Sequence, residues 1–155
     1  MHINPDLLLT TPEGRLTTPE RNAKAWQQCF ALLRSALATA TPSARVYVLV
    51  GAQGSGKSTW AGAHLKHEPD AIVFDAILVK RSERAPILAA AWNAGVQVEA
   101  VWFLTPLETC LARNAARPGD EVADEQGLRN VFAAVEPPSL EEGFAQVLTV
   151  APGVD

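Results

Sequence analysis

Apolar residues recur along this chain in two rhythms. Between residues 19 and 40 they fall at helical spacing, with Trp26, Phe30, Leu33 and Leu37 on one face. Thr18 reads as the N-cap of that helix, Pro19 as its first residue, and Glu20 as a charge near the positive end of its dipole. Thr41-Pro42-Ser43 ends it. The rhythm then changes. Residues 45–50 are almost continuously apolar, as a strand covered on both faces of a parallel sheet must be. Short apolar runs return at 71–74, 96–104 and 145–150. Helical patterns separate them at 57–66, 82–94, 105–116 and 124–135. Gly95 reads as a helix stop, Thr105-Pro106-Leu107-Glu108 and Ser139-Leu140-Glu141-Glu142 as capping boxes, and Arg117-Pro118-Gly119-Asp120 as a turn. Strands alternating with helices predict a three-layer α/β/α fold with a compact, mostly parallel sheet and right-handed crossovers. Its ligand is expected at the carboxyl ends of the strands. Residues 1–17 lack either rhythm and read as a loose arm. The predicted division is an arm and helix over 1–44 and a main domain over 45–155.

The loop after the first long strand, GAQGSGKSTW at residues 51–60, matches G-x-x-x-x-G-K-[ST]. It has the required context, a strand before it and a helix after it. The fold class is therefore expected to be a P-loop NTPase. Gly51, Gly54 and Gly56 let the backbone turn close to phosphate, and the amides from Gly54 through Ser55 to Ser58 form an anion nest at a helix N-terminus. Lys57 is expected on the β- and γ-phosphates, the Ser58 hydroxyl on Mg²⁺, and Thr59 near the α-phosphate. The expected ligands are thus ATP and Mg²⁺.

Asp75 closes the 71–74 strand. It reads either as a metal-orienting or proton-accepting carboxylate beside the loop, or as a turn aspartate. Arg113 and Arg117 stand four apart at the end of a predicted helix. They read as a phosphate clamp followed by a hinge, or as two solvated charges at a helix C-terminus. His64 and His67 lack a third metal-type neighbour and read as solvated. Trp92 and Trp102 fall on predicted core faces, whereas Trp26 and Trp60 suit either packing or an adenine ring. Glu121, Asp124 and Glu125 read as a solvated helix start.

Composition narrows the field. The 155 residues carry a net charge of −4, which argues against a broadly basic nucleic-acid surface. Cys29 and Cys110 fit no metal or redox spacing and are expected to be reduced thiols in a cytoplasmic protein. The first residues have no basic leader, and no run is apolar enough to predict a membrane span. A guanine-reading N-K-x-D segment is absent from the sequence, which disfavours a GTP switch.

From Tyr47 to Phe144 the chain resembles the polynucleotide-kinase-like P-loop kinases, small ATP-binding proteins akin to the 5′-hydroxyl kinase domain of phage polynucleotide kinase. The matching pieces are GAQGSGKSTWA, IVFDAILVKRSERAPIL, VEAVWFLTPLETCLARNAARPGDEV and EPPSLEEGF. In that family R-N-x-x-R is the lid whose arginines touch the donor phosphates. Here it is Arg113-Asn114-Ala115-Ala116-Arg117. The resemblance implies an ATP-dependent phosphotransferase with Lys57, Asp75, Arg113 and Arg117 as catalytic residues. Its acceptor would be a hydroxyl, either a polynucleotide 5′ end or a small metabolite. The chain departs from the family in one respect. Family members carry two acidic strand ends between loop and lid, the first of them bearing the general base. Only fifteen residues separate Thr59 from Asp75, too few for an extra strand. The base-bearing strand is therefore expected to be missing, with Asp75 serving metal and base alike. A nucleotide-binding module or slow ATPase working through a partner protein is the alternative. Arg84 aligns with the helix arginine of the family's second acidic segment and reads either as functional or as a solvated charge; Arg81 is the nearest substitute for substrate contact.

Overall fold

The computed structural model describes residues 1–152. In chain order the elements are β1 (His2–Ile3), α1 (Pro5–Leu9), β2 (Thr10–Thr11), β3 (Gly14–Arg15), α2 (Pro19–Ala38), β4 (Arg45–Val50), α3 (Lys57–His67), β5 (Ile72–Phe74), α4 (Arg81–Asn93), β6 (Gln97–Phe103), α5 (Leu107–Ala115), α6 (Glu125–Ala133) and β7 (Gln146–Val150). The main sheet has five strands in the order β1-β5-β4-β6-β7, and every pairing in it is parallel. A two-stranded antiparallel ribbon, β2-β3, stands apart.

β4 is central because its residues are apolar on both faces. Val46, Val48 and Val50 pack with Cys29, Leu33 and Leu37 of α2 and Ile87 and Leu88 of α4. The alternate residues Tyr47 and Leu49 pack with Ala61 of α3, Val73, Val101 and Phe103 on the other face. Three layers follow from this alternation, and the chain has the α/β architecture of P-loop NTPases. α2 starts as its sequence predicts: the Thr18 side chain accepts the Arg21 amide, and Pro19 is the first helical residue. Its buried positions Ala25, Cys29, Leu33 and Leu37 repeat every fourth residue. The free Cys29 thiol is buried there, and burial pushes its pKa up to about 11. No helix of the described residues is long and apolar enough to cross a membrane.

The structure corrects several expectations. Residues 1–17 are not a loose arm. β1 pairs with β5, setting His2 opposite Val73 and Ile3 opposite Phe74, and Ile3 is fully buried. The Asn4 side chain caps α1 by accepting the Asp6 amide, and Pro5 is the first helical residue. Trp92 points to solvent with 81% of its surface exposed, although helical spacing placed it on the core face. His64 is half-buried and stacked on Trp60, with ring centroids 4.4 Å apart, because the Trp60 ring needs cover that water would not give. Thr105 does not cap α5. Pro106 holds the cap position, and the Thr105 hydroxyl is used elsewhere.

Arg84 is the largest correction. It is completely buried. Its guanidinium donates through Nε and Nη2 to the two carboxylate oxygens of Glu142 at 2.8 and 3.0 Å, and through Nη1 to the carbonyls of Leu78 and Val79. A bidentate pair so desolvated locks the loop after β5 and the turn before β7 to α4. Arg84→Ala should lower the unfolding free energy by about 3–5 kcal/mol, because it strands a buried carboxylate. Urea denaturation of Arg84→Ala beside the double replacement Arg84→Met with Glu142→Leu checks this. The double variant should recover most of the loss, and equal losses would place the cost in packing volume.

Candidate functional site

The phosphate loop spans Gly51 to Gly56 between β4 and α3. Gly54 and Gly56 take φ of 78° and 103°, where side chains with a Cβ are strained. At Gly54 a Cβ would also lie 2.5 Å from the Cys110 carbonyl oxygen, so α5 approaches the loop as closely as glycine permits. The Thr105 hydroxyl donates to the Ser55 carbonyl at 2.8 Å and fixes the loop from the other side. Gly56 stands in the N-cap position of α3, so the first amides of that helix face outward from the loop with the positive end of its dipole.

Lys57 is buried and donates from Nζ to the carbonyls of Gly51 and Ala52 at 2.9 and 3.0 Å. Burial lowers its pKa, the nearby Asp75 charge opposes that, and Arg117 adds to the lowering. Such an ammonium gains from an anion close by. Ser58 and Thr59 follow it on the first turn of α3, exposed towards the same cavity.

Asp75 sits at the carboxyl end of β5, only 2% exposed. Its Oδ2 atom lies 2.7 Å from Ser58 Oγ, 2.8 Å from His2 Nε2 and 3.2 Å from Asn4 Nδ2. Burial alone would raise this carboxyl's pKa. The hydrogen bond to His2, the Lys57 charge and the Ser58 hydroxyl outweigh it and hold the group below the ordinary aspartate range. A carboxylate kept ionised beside a serine hydroxyl is an oxygen donor set that fits Mg²⁺, which takes one or two protein oxygens and keeps water and phosphate oxygens besides. Among the described residues no group of three His, Cys, Asp or Glu could hold a metal unaided.

One cavity of about 400 Å³ joins these parts. Gly54, Gly56, Lys57, Ser58, Thr59 and Asp75 line it, and Arg117 reaches it from beyond α5. Arg113 is also brought to the loop, donating to the Gly54 carbonyl at 3.4 Å. Asn114 between them is buried and exchanges two hydrogen bonds of 2.8 Å with the backbone of Ala123, tying the segment after Arg117 back onto α5. Gly51 and Ser55 are buried and line a separate cavity of about 290 Å³ with Phe103 and Thr105, not the one that Lys57 and Asp75 share. Trp26 lines the cavity edge while packing on Phe30 and Phe74, and Trp60 packs between Tyr47, His64 and Phe103 on the far face. His67 is exposed, and Asp124 caps α6 by accepting the Gly127 amide.

His2, Asn4 and Asp6 belong to this site, and sequence reasoning missed them. Their signal was present in Asn4-Pro5-Asp6, which has the cap, proline and acid order of a helix start. A larger apolar groove of about 800 Å³ runs beside α4 past Trp92. Its carboxylate, Glu142, is already held by Arg84, so it brings no reactive group to that groove.

A family model described as an AAA domain matches residues 67–138, from the last residue of α3 through β5, α4, β6, α5 and α6. The match begins after the phosphate loop, so loop and match support the same reading from separate stretches of chain. Together they support a P-loop, kinase-like domain that binds nucleoside triphosphate. No curated protein matches the chain.

The Asp75 environment makes stability depend on pH. Its carboxyl binds a proton less tightly in the folded protein than at the unfolded value of about 3.9, so its contribution is whole above that pH and fades as pH falls through the folded value. Unfolding free energies measured down the acid limb should therefore fall less steeply in Asp75→Asn than in the unsubstituted protein. Superimposable acid limbs would remove Asp75 from that linkage.

Proposed function

We propose that the chain is a phosphotransferase that moves the γ-phosphoryl group of ATP, with Mg²⁺, to a hydroxyl acceptor. The observation that carries this reading is the convergence of Lys57, Ser58, Asp75 and Arg117 on one cavity at the carboxyl ends of the strands. The residue set is that of phosphoryl transfer, where positioning and charge stabilisation do most of the catalytic work.

Lys57 and the first amides of α3 hold the β- and γ-phosphates. Ser58 and Asp75 would hold the metal. Bound there, Mg²⁺ would neutralise phosphate charge. Thr59 lies further along the same helix turn, towards the α-phosphate. Arg117 lines the cavity and Arg113 donates to the Gly54 carbonyl, which supports reading the pair as a lid over the donor phosphates, with the turn after Arg117 as its hinge. The resemblance to the polynucleotide-kinase-like enzymes supports this assignment of the lid.

Lys57→Ala should weaken MgATP binding by at least about tenfold and abolish transfer of label from γ-labelled ATP. Unchanged binding and turnover would make the loop a structural turn. Arg117→Ala should lower kcat by about 100-fold or more while changing the ATP affinity only a few-fold, because charge on the moving phosphoryl group peaks in the transition state. Equal losses in both would make Arg117 a ground-state phosphate contact. Label released only as free phosphate, whatever alcohol is added, would indicate an ATPase in place of a kinase.

A further inference from the structure

The strand expected between loop and lid is missing there, yet the sheet edge beside β5 is filled. β1 occupies it, running parallel to β5 from the opposite end of the chain. Its carboxyl end therefore opens at the same rim as Asp75 and the phosphate loop. Asn4 stands at that end, buried, and its side chain has two jobs. Oδ1 accepts the Asp6 amide at 2.9 Å, and Nδ2 donates to Asp75 at 3.2 Å. Asp6 is thereby fixed relative to Asp75 through one amide group. It lines the cavity, with about half of its side-chain surface exposed, and its charge is felt at Lys57.

The cavity's other carboxylates are less suited to accept a proton. Asp75 shares one oxygen among His2, Asn4 and Ser58, which weakens it as a base. Glu83 spends an oxygen on the Lys80 amide at the start of α4. Asp6 has an ion pair with Arg15 at 3.6 Å, too long for a good hydrogen bond, and is otherwise open to the cavity. The walls also differ in charge. The first turn of α3 and the segment after α5 bring Lys57 and Arg117 to the lining. The N-terminal segment, α2 and α4 bring Asn4, Asp6, Asn22, Trp26 and Glu83, with no lysine or arginine among them. Arg15, which pairs with Asp6, is shared with Glu121 at 3.4 Å. A wall of two carboxylates, two amides and an indole repels a phosphodiester chain. It suits a compact molecule with hydroxyls and an apolar or cationic face.

We propose that the N-terminal segment builds the acceptor half of this cavity, and that Asp6 is the general base for a small, non-anionic alcohol. The proposal rests on the phosphotransferase reading. In the step, the Asp6 carboxylate takes the hydroxyl proton while the acceptor oxygen forms a bond to the γ-phosphorus. The bond from that phosphorus to the β,γ-bridging oxygen breaks, and its electron pair leaves with ADP. Asp6 then gives its proton to water.

The test uses the full chain with Mg²⁺ and γ-labelled ATP. The acceptors are glycerol, ribose, ethanolamine, adenosine and a 5′-hydroxyl DNA dodecamer, each assayed with the unsubstituted protein and with Asp6→Asn. MgATP affinity is measured in parallel by calorimetry. Asp6 is half exposed, so Asp6→Asn should fold, and thermal unfolding followed by circular dichroism confirms it. Label is expected on a small alcohol and not on the dodecamer. Asp6→Asn should cut kcat for that alcohol by about 100-fold or more with the MgATP affinity within about twofold. Asp6→Glu, which keeps the base but shifts it, should retain an intermediate rate. Loss of MgATP binding in the unsubstituted protein would sink the phosphotransferase reading itself. With binding intact, label on the dodecamer alone, an undiminished Asp6→Asn rate or no label on any acceptor would overturn the present proposal.

Discussion

A carboxylate taken out of water is expensive unless hydrogen bonds replace the solvent, and Asp75 is almost fully buried. Its partners come from two places far apart in sequence: His2 and Asn4 at the end of β1, and Ser58 on the first turn of α3. The bonds constrain two different elements. The bond to Ser58 ties the first turn of α3, which also carries Lys57, to the end of β5. The bonds from His2 and Asn4 hold β1 in register on β5. The geometry of the phosphate site and the docking of the N-terminal segment are thus parts of one electrostatic arrangement. Removing either partner set leaves a buried charge short of donors.

The same economy governs the other buried charge. Arg84 spends four of its donor contacts on Glu142, Leu78 and Val79, leaving it inside the core with its charge matched. It holds the loop that follows Asp75, so Asp75 is braced on both sides: by β1 across the sheet and by the Arg84 cluster along the chain. A site built this way is largely preformed, the condition under which charge stabilisation acts most strongly.

Much of this was legible in the sequence. The five-residue apolar period change at Arg45, the strand–loop–helix context of GAQGSGKSTW and the strand ending in Asp75 led to the sheet, the loop and its acid. The N-terminal strand was not legible, because two residues carry no periodicity and its pairing partner lies some seventy positions away. Arg84 and Trp92 were misread for a related reason. Both lie on α4, whose spacing marks a buried face without saying which edge of the stripe is covered. There a guanidinium with four acceptors goes inside and an indole stays out. Thr105 matched a capping box, yet a buried loop carbonyl competed for its hydroxyl and won. For the N-terminal strand, for Arg84 with Glu142 and for Thr105 with Ser55, the deciding partner was distant in sequence.

The cavity that results is lined by Lys57 and Arg117 and by three carboxylates, Asp6, Asp75 and Glu83. The account therefore depends on Asp75 being a metal-side carboxylate tuned by its neighbours. ATP titrations by calorimetry, with and without Mg²⁺, in the unsubstituted protein and in Asp75→Asn test that most directly. The account predicts that Mg²⁺ tightens ATP binding by about tenfold or more in the former and by little in the latter. The same Mg²⁺-dependent gain in both proteins would contradict it.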